Sequence, residues 1–173
     1  MRKKLSDGTV ELRPWRDRDA AALVECLNGD EEIARWLDRV PQPYTTADAL
    51  GYIRSDGEEK YAITDAVTGR VIGSIGLTWG ETHDVAEIGY WARADVRGRG
   101  VMTRALRLLA AHALGTGAER VQLRADVLNV PSRRVAEKAG FTLEGVLRAA
   151  HWNYRLGRRQ DWAMYSLLPG DLE

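Results

Sequence analysis

Arg97-Gly98-Arg99-Gly100-Val101-Met102-Thr103 stands between an alternating run, Ala86-Glu87-Ile88-Gly89-Tyr90-Trp91-Ala92, and a Leu- and Ala-rich run over residues 101–110. The first run has the two-residue period of a strand and the second the period of a helix. Two glycines interleaved with two arginines let the backbone turn tightly, so that successive N–H groups converge on an anion. A helix starting at about Arg99 would aim its positive dipole end at the same point. The anion expected is a pyrophosphate. A nucleoside-triphosphate loop would end in Lys followed by Ser or Thr, and a dinucleotide fingerprint would carry a third glycine where Thr103 stands. Neither fits, and what remains is Arg-x-x-Gly-x followed by Met102.

On either side of this loop the elements alternate. Residues 9–13 predict a strand stopped by Pro14, and Asp17 or Asp19 can cap a helix to about Leu27. A short helical piece follows over residues 31–37, and another helix runs from Thr46 to about Ser55. Residues 61–64 and 71–77 flank Thr68-Gly69-Arg70 as a β-hairpin. Beyond the long helix, which Gly115 and Gly117 end, residues 121–125 predict a short strand. Residues 131–139 predict a helix with Asn129 as cap, Pro131 early and Gly140 as stop. Residues 141–147 and 162–168 form two last strands joined by a polar segment, 151–160. Written as βααβββαβαββ, this is an α/β chain with a mixed central sheet and flanking helices. No linker or repeat divides it, so residues 1–173 are expected to be a single domain.

The 173 residues carry 25 basic and 25 acidic side chains, so no global field recommends nucleic acid or an anionic membrane as partner. Met1-Arg2-Lys3-Lys4 looks like the start of a signal peptide, but Leu5-Ser6-Asp7-Gly8 supplies no apolar stretch and no run approaches a membrane span. One cysteine, Cys26, favours a reducing compartment, and a cytoplasmic protein is expected. His83 and His151 fall in predicted loops and His112 on the long helix. No pair has metal-ligand spacing with a carboxylate, and no metal is expected.

The loop resembles the acetyl-CoA pyrophosphate motif of the GNAT N-acetyltransferase superfamily, in which Gly or Ala usually stands where Met102 is. Asn129-Val130-Pro131-Ser132 followed by Val135-Ala136-Glu137-Lys138-Ala139-Gly140-Phe141 is similar to a signature of its RimJ/RimL-like branch, which acetylates ribosomal-protein amino termini. So are Pro41-Gln42-Pro43-Tyr44-Thr45, Glu87-Ile88-Gly89-Tyr90-Trp91 and Asp161-Trp162-Ala163-Met164-Tyr165-Ser166-Leu167. The resemblance spans residues 12–168. It implies acetyl-CoA as cosubstrate, a primary amine as acceptor, and direct attack in a ternary complex of a monomer or homodimer.

It also implies roles for residues. Tyr90, Trp91 and Ala92 would lie on a splayed strand that pairs with the pantetheine arm. Arg97, Gly98, Arg99, Gly100, Val101, Met102 and Thr103 would hold the pyrophosphate, and Asn129 the pantetheine amide, unless it is simply a helix cap. Arg104 and Arg107 extend the basic cluster toward the 3′-phosphate, or are a solvated helix face. Glu87 is the candidate general base, against a salt-bridged strand carboxylate. Ser132 is the candidate proton donor to the CoA thiolate, against a first-turn capping role; Ala136 occupies the place of the tyrosine that many relatives use. Trp36, Tyr44, Trp152 and Asp161 are candidates for the acceptor side, with residues 41–44 facing residues 151–154. Two other readings stay open, a small-molecule amine as acceptor and a non-catalytic acyl-CoA-binding or regulatory module.

Overall fold

The computed structural model describes residues 3–171, so Met1 and Arg2 of the basic tetrapeptide lie outside the described residues. Its strands are β1 (Leu5–Ser6), β2 (Val10–Pro14), β3 (Glu59–Asp65), β4 (Val71–Trp79), β5 (Val85–Ala92), β6 (Arg120–Asp126), β7 (Thr142–Asn153) and β8 (Arg158–Leu167). They form one mixed sheet in the order β1-β2-β3-β4-β5-β6-β8-β7. All neighbours are antiparallel except β5 and β6. That parallel pair needs a crossover, which the long helix supplies.

Helices α1 (Ala20–Asn28), α2 (Glu31–Trp36) and α3 (Thr46–Arg54) separate β2 from β3, α4 (Val101–Gly115) links β5 to β6, and α5 (Val130–Lys138) links β6 to β7. Two corrections to the βααβββαβαββ order follow. A two-residue strand precedes the first predicted one, and the three helical pieces read before the hairpin all form helices, where that order counts two. The polar segment predicted to join the last strands is itself mostly strand: β7 runs on to Asn153 and β8 begins at Arg158. Polar composition misled here because β7 is an edge strand, exposed along nearly its whole length, with no burial to impose an apolar pattern.

Opposite faces of the sheet pack on different helices. Ile75, Leu77, Ala86, Ile88, Leu106, Leu109, Val121, Leu123 and Tyr165 share a core with α4 and α5, whereas Trp15, Leu23, Leu27, Ile33, Tyr44 and Ala62 form a second core under α1–α3. Ile88 and Tyr90 belong to the first face and Trp91 packs on the second, as the strand period requires. Asp19 stands at the N-cap position of α1, as expected, but its side chain makes no capping bond to that helix. It sits in a 3₁₀ turn over Asp17–Asp19 and takes a two-pronged bond from buried Arg13, at 2.7 and 2.9 Å, tying β2 to the start of α1.

Candidate active site

The parallel pair is short. β5 and β6 are in register only at Val85 with Arg120, Ala86 with Val121 and Glu87 with Gln122. Beyond Glu87 the two strands part: β5 stays on β4 as far as Ala92, while residues 123–126 of β6 stay on β8. The separation leaves the inner edge of residues 88–92 unpaired by β6 and opens a wedge in the sheet, the splay that the resemblance implies. A cleft of about 380 Å³ extends from it. Tyr90, Trp91 and Ala92 line one wall, Gly98, Gly100, Val101, Met102 and Thr103 the end, and Asn129, Ser132, Arg134 and Lys138 the other wall.

The helix at that end begins at Val101 rather than at Arg99, because Gly98 and Gly100 both take left-handed φ, +75° and +76°, and the second is the helix cap. Having no side chain, Gly100 cannot cap, and the amides of the first turn are left to the cleft. Met102 turns into the core, where it is buried, so its bulk at a position usually held by Gly or Ala is taken up by packing. Arg97 lines the cleft while its guanidinium pairs with Asp30 and donates at 3.0 Å to the Ala92 carbonyl. Arg99 is exposed and does not line the cleft. Arg104 pairs with Asp7, and Arg107 donates to the Lys138 carbonyl. The cations lining the cleft are Arg97, as expected, with Arg134 and Lys138, which the sequence reading passed over.

Asn129 caps α5, accepting from Ser132 N at 3.3 Å, and also lines the cleft. Ser132 meets Tyr90 across the wedge: the Ser132 hydroxyl donates to Tyr90 Oη at 3.2 Å, and the Tyr90 hydroxyl donates to the Ser132 carbonyl at 3.0 Å. Burial pushes the Tyr90 phenol up to about 12, against the smaller downward effect of the Ser132 bond. The pair is therefore a proton-holding group at neutral pH. Glu87 lies at the apex of the wedge. One carboxylate oxygen accepts from Gln122 at 3.0 Å and the other from Arg124 Nε at 3.0 Å, and Arg124 lies over the Trp162 ring.

The four acceptor-side candidates are not brought together. Trp36 lines the large cleft, and Tyr44 is buried beside a second hollow of about 230 Å³ on the α1–α3 face. Trp152 and Asp161 line neither; the Asp161 carboxylate accepts from Ala149 N at 2.7 Å, holding a bulge of β7. Residues 41–44 are tied to α1. Tyr44 exchanges backbone bonds with the Asn28 side chain, both at 2.8 Å, which pins the segment to α1. The segment facing the β7–β8 tip is 35–40: Asp38 accepts from Tyr154 N at 2.9 Å and contacts the His151 ring at 3.2 Å, and Arg155 donates to the Val40 carbonyl. His151 is thus on a strand, stacked on Trp162, and not in a loop. The second hollow was legible in part, since Gly76 and Gly89 interrupt strand patterns, where glycine marks a close approach.

A family model described as acetyltransferase (GNAT) domain matches residues 9–142. YdaF of Bacillus subtilis (strain 168), provisionally named a ribosomal N-acetyltransferase, is 30% identical over 173 residues, covering 95% of this chain and 93% of its own. Among solved structures, RimL, a ribosomal alpha-N-protein acetyltransferase in complex with coenzyme A, superimposes with a TM-score of 0.87 at 22% identity, covering 99% of this chain and 100% of that one. The microcin self-immunity acetyltransferase MccE, in complex with acetyl-CoA and AMP, does so with a TM-score of 0.84 at 22% identity, covering 94% and 93%. Among the described residues, no helix is long and apolar enough to cross a membrane, and no cluster of His, Cys, Asp and Glu could hold a metal.

Proposed function

The chain belongs to the acetyltransferase (GNAT) family, and from that premise we propose that it moves the acetyl group of acetyl-CoA to a primary amine, with an exposed protein amino terminus as the acceptor. The wedge between β5 and β6 carries this reading, because it ends in uncapped helix amides at one extremity and a part-buried hydroxyl pair at its side. Pyrophosphate would sit at residues 98–103 and the pantetheine arm would pair along residues 88–92 as an added strand. The thioester would then lie near Gly89, close to the apex.

An amine must be neutral to attack. An ammonium at the site gives one proton to a base, for which Glu87 is our candidate, acting through water since it lines neither hollow. The amine nitrogen adds to the thioester carbon, the C–S bond breaks, and the nitrogen's second proton leaves as the CoA sulfur gains one. Ser132, backed by Tyr90, is our candidate donor to sulfur, which answers the missing tyrosine at Ala136 and weighs against a non-catalytic module. Kinship with YdaF favours a protein acceptor; the likeness to MccE keeps a small-molecule amine as the second reading. Incubating acetyl-CoA with a panel of amino-terminal peptides and simple amines, and following CoA thiol release with mass detection of the product, tests both. Acetylated peptide is the expected product, acetylation of small amines alone selects the second reading, and absence of any acetylated product overturns transfer.

A further inference from the structure

We propose that Asp30 is a positioning residue that couples the cofactor loop to α2, so that a cofactor seated on the loop also fixes a helix that lines the cleft. The inference rests on the transferase reading above and adds how that site is assembled. Glu32, Ile33 and Trp36 of α2, with Leu37 just beyond it, line the cleft. α2 has only six residues, and Ile33 is its one buried side chain. A helix so short is marginal by itself, and its place depends on its cap and on what the cap is tied to.

One carboxylate supplies both the cap and the tie. Asp30 Oδ1 accepts from Glu32 N at 3.0 Å and from Ile33 N at 3.3 Å, which caps α2, while Oδ2 accepts from Arg97 Nη2. The Asp30 side chain is 11% exposed, so the pair is largely shielded from water and salt. Arg97 also donates from Nε to the carbonyl of Ala92, the last residue of β5, at 3.0 Å. Its guanidinium therefore joins the end of the splayed strand to the start of α2, and its backbone leads directly into Gly98.

That arrangement transmits occupancy. Gly98 and Gly100, both at left-handed φ, give the loop the backbone freedom of glycine. Pyrophosphate on the amides of residues 98–103 removes that freedom, and Arg97 is fixed along with its neighbour. Its side-chain charge is spent on Asp30, so Arg97 serves the cofactor by holding α2. With Arg97 fixed, the capped first turn of α2 opens less often. Cutting the tie changes CoA affinity little, because a turn that is closed most of the time gains little further population when the cofactor binds. It does loosen the apolar side chains of Ile33, Trp36 and Leu37, which keep water from the cleft.

Amide exchange over residues 31–37, read by mass spectrometry with and without saturating CoA, tests the coupling in the wild type, Arg97→Met, Asp30→Asn and the double variant. Arg97→Met removes the donor and leaves the cap untouched. Asp30→Asn keeps a residue that caps as well as Asp but offers one acceptor oxygen in place of two, so the cap stays only if Arg97 is released. CoA is expected to slow exchange over residues 31–37 by about ten-fold or more in the wild type and by less than about three-fold in each single variant. The double variant should match the singles, since both cut one tie, and CoA affinity by calorimetry should stay within about three-fold throughout. For any acceptor that turns over, kcat should fall about ten-fold in each variant with the KM for acetyl-CoA within about three-fold. Protection that is absent from the wild type, or that survives in either single variant with CoA bound, overturns this assignment alone, as do additive effects in the double variant. Failure of the wild type to bind CoA overturns the transferase reading and this one with it.

Discussion

Glu87 and Ser132 are proposed to divide the proton traffic, and each is held by bonds that a substitution can break one at a time. Glu87 is gripped by Gln122 and Arg124, so Glu87→Gln tests a base against a merely structural carboxylate. As a base, its loss should lower kcat/KM by about 10²-fold at neutral pH, with the deficit shrinking as pH rises and the amine, with a pKa of about 8 for an amino terminus, deprotonates unaided. A deficit that stays constant with pH would assign the carboxylate to holding Arg124. Ser132→Ala should lower kcat without a comparable loss of acetyl-CoA affinity, and Tyr90→Phe should do so more mildly, since it removes the hydroxyl that Ser132 donates to while leaving Ser132 itself. A drop in melting temperature with kcat unchanged would return Ser132 to helix capping.

Elements place these groups, and the start of α4 is the most exacting. Gly100 stands at φ +76°, a conformation that a β-branched residue resists, although a Cβ there would meet nothing within 4 Å. Gly100→Val is therefore expected to bend the loop away and weaken acetyl-CoA binding ten-fold or more by calorimetry, with a modest fall in melting temperature. At the far side of the sheet, Glu144 on β7 takes two bonds from Arg120 on β6, at 2.7 and 2.6 Å, and one from Ser166 on β8 at 2.7 Å. The Arg120 guanidinium, then the Ser166 hydroxyl, hold its carboxyl down at about 2. A carboxyl depressed in the folded state binds fewer protons there than when unfolded, so its stabilisation is complete above its ordinary pKa of 4.5 and fades as pH falls toward 2. Urea melts at pH 5, 4 and 3 should show a shallower loss of stability in Glu144→Gln than in the wild type.

At the scale of the whole molecule, the α2–α3 connection and the β7–β8 tip close on each other through Asp38. Its nearly buried carboxylate contacts the His151 ring and accepts from Tyr154 N, and Asn153 donates to the Arg35 carbonyl beside it. Because Leu37 and Val40 wall the second hollow, this tie bears on the shape of that hollow from a distance. Asp38→Ala removes the partner of the Tyr154 amide and of the part-buried imidazole, a cost of about 0.5–1.5 kcal/mol for each bond lost. Faster amide exchange over residues 150–157 and a higher acceptor KM, with acetyl-CoA affinity kept, are the expected readouts. Unchanged exchange in the tip would show that the two segments hold without it.

Local chemistry determined the parts of this protein that depend on neighbours along the chain. The left-handed turns at Gly98 and Gly100, the Asn129 cap with Pro131 behind it, and the alternation along residues 86–92 are each written in adjacent residues, and such local signals were enough to read the α/β class and the family. Only the tertiary structure decided what meets across the sheet. The hydroxyl pair of Ser132 and Tyr90 joins residues 42 positions apart, the Asp38 tie to His151 spans 113, and Glu58 reaches Gly76 only because β3 and β4 pair in one register. Spacing in sequence carries no information about such encounters, because they follow from strand register and from which face each side chain takes. A one-residue slip would send the strand members of these pairs, Tyr90 and His151, to the opposite face.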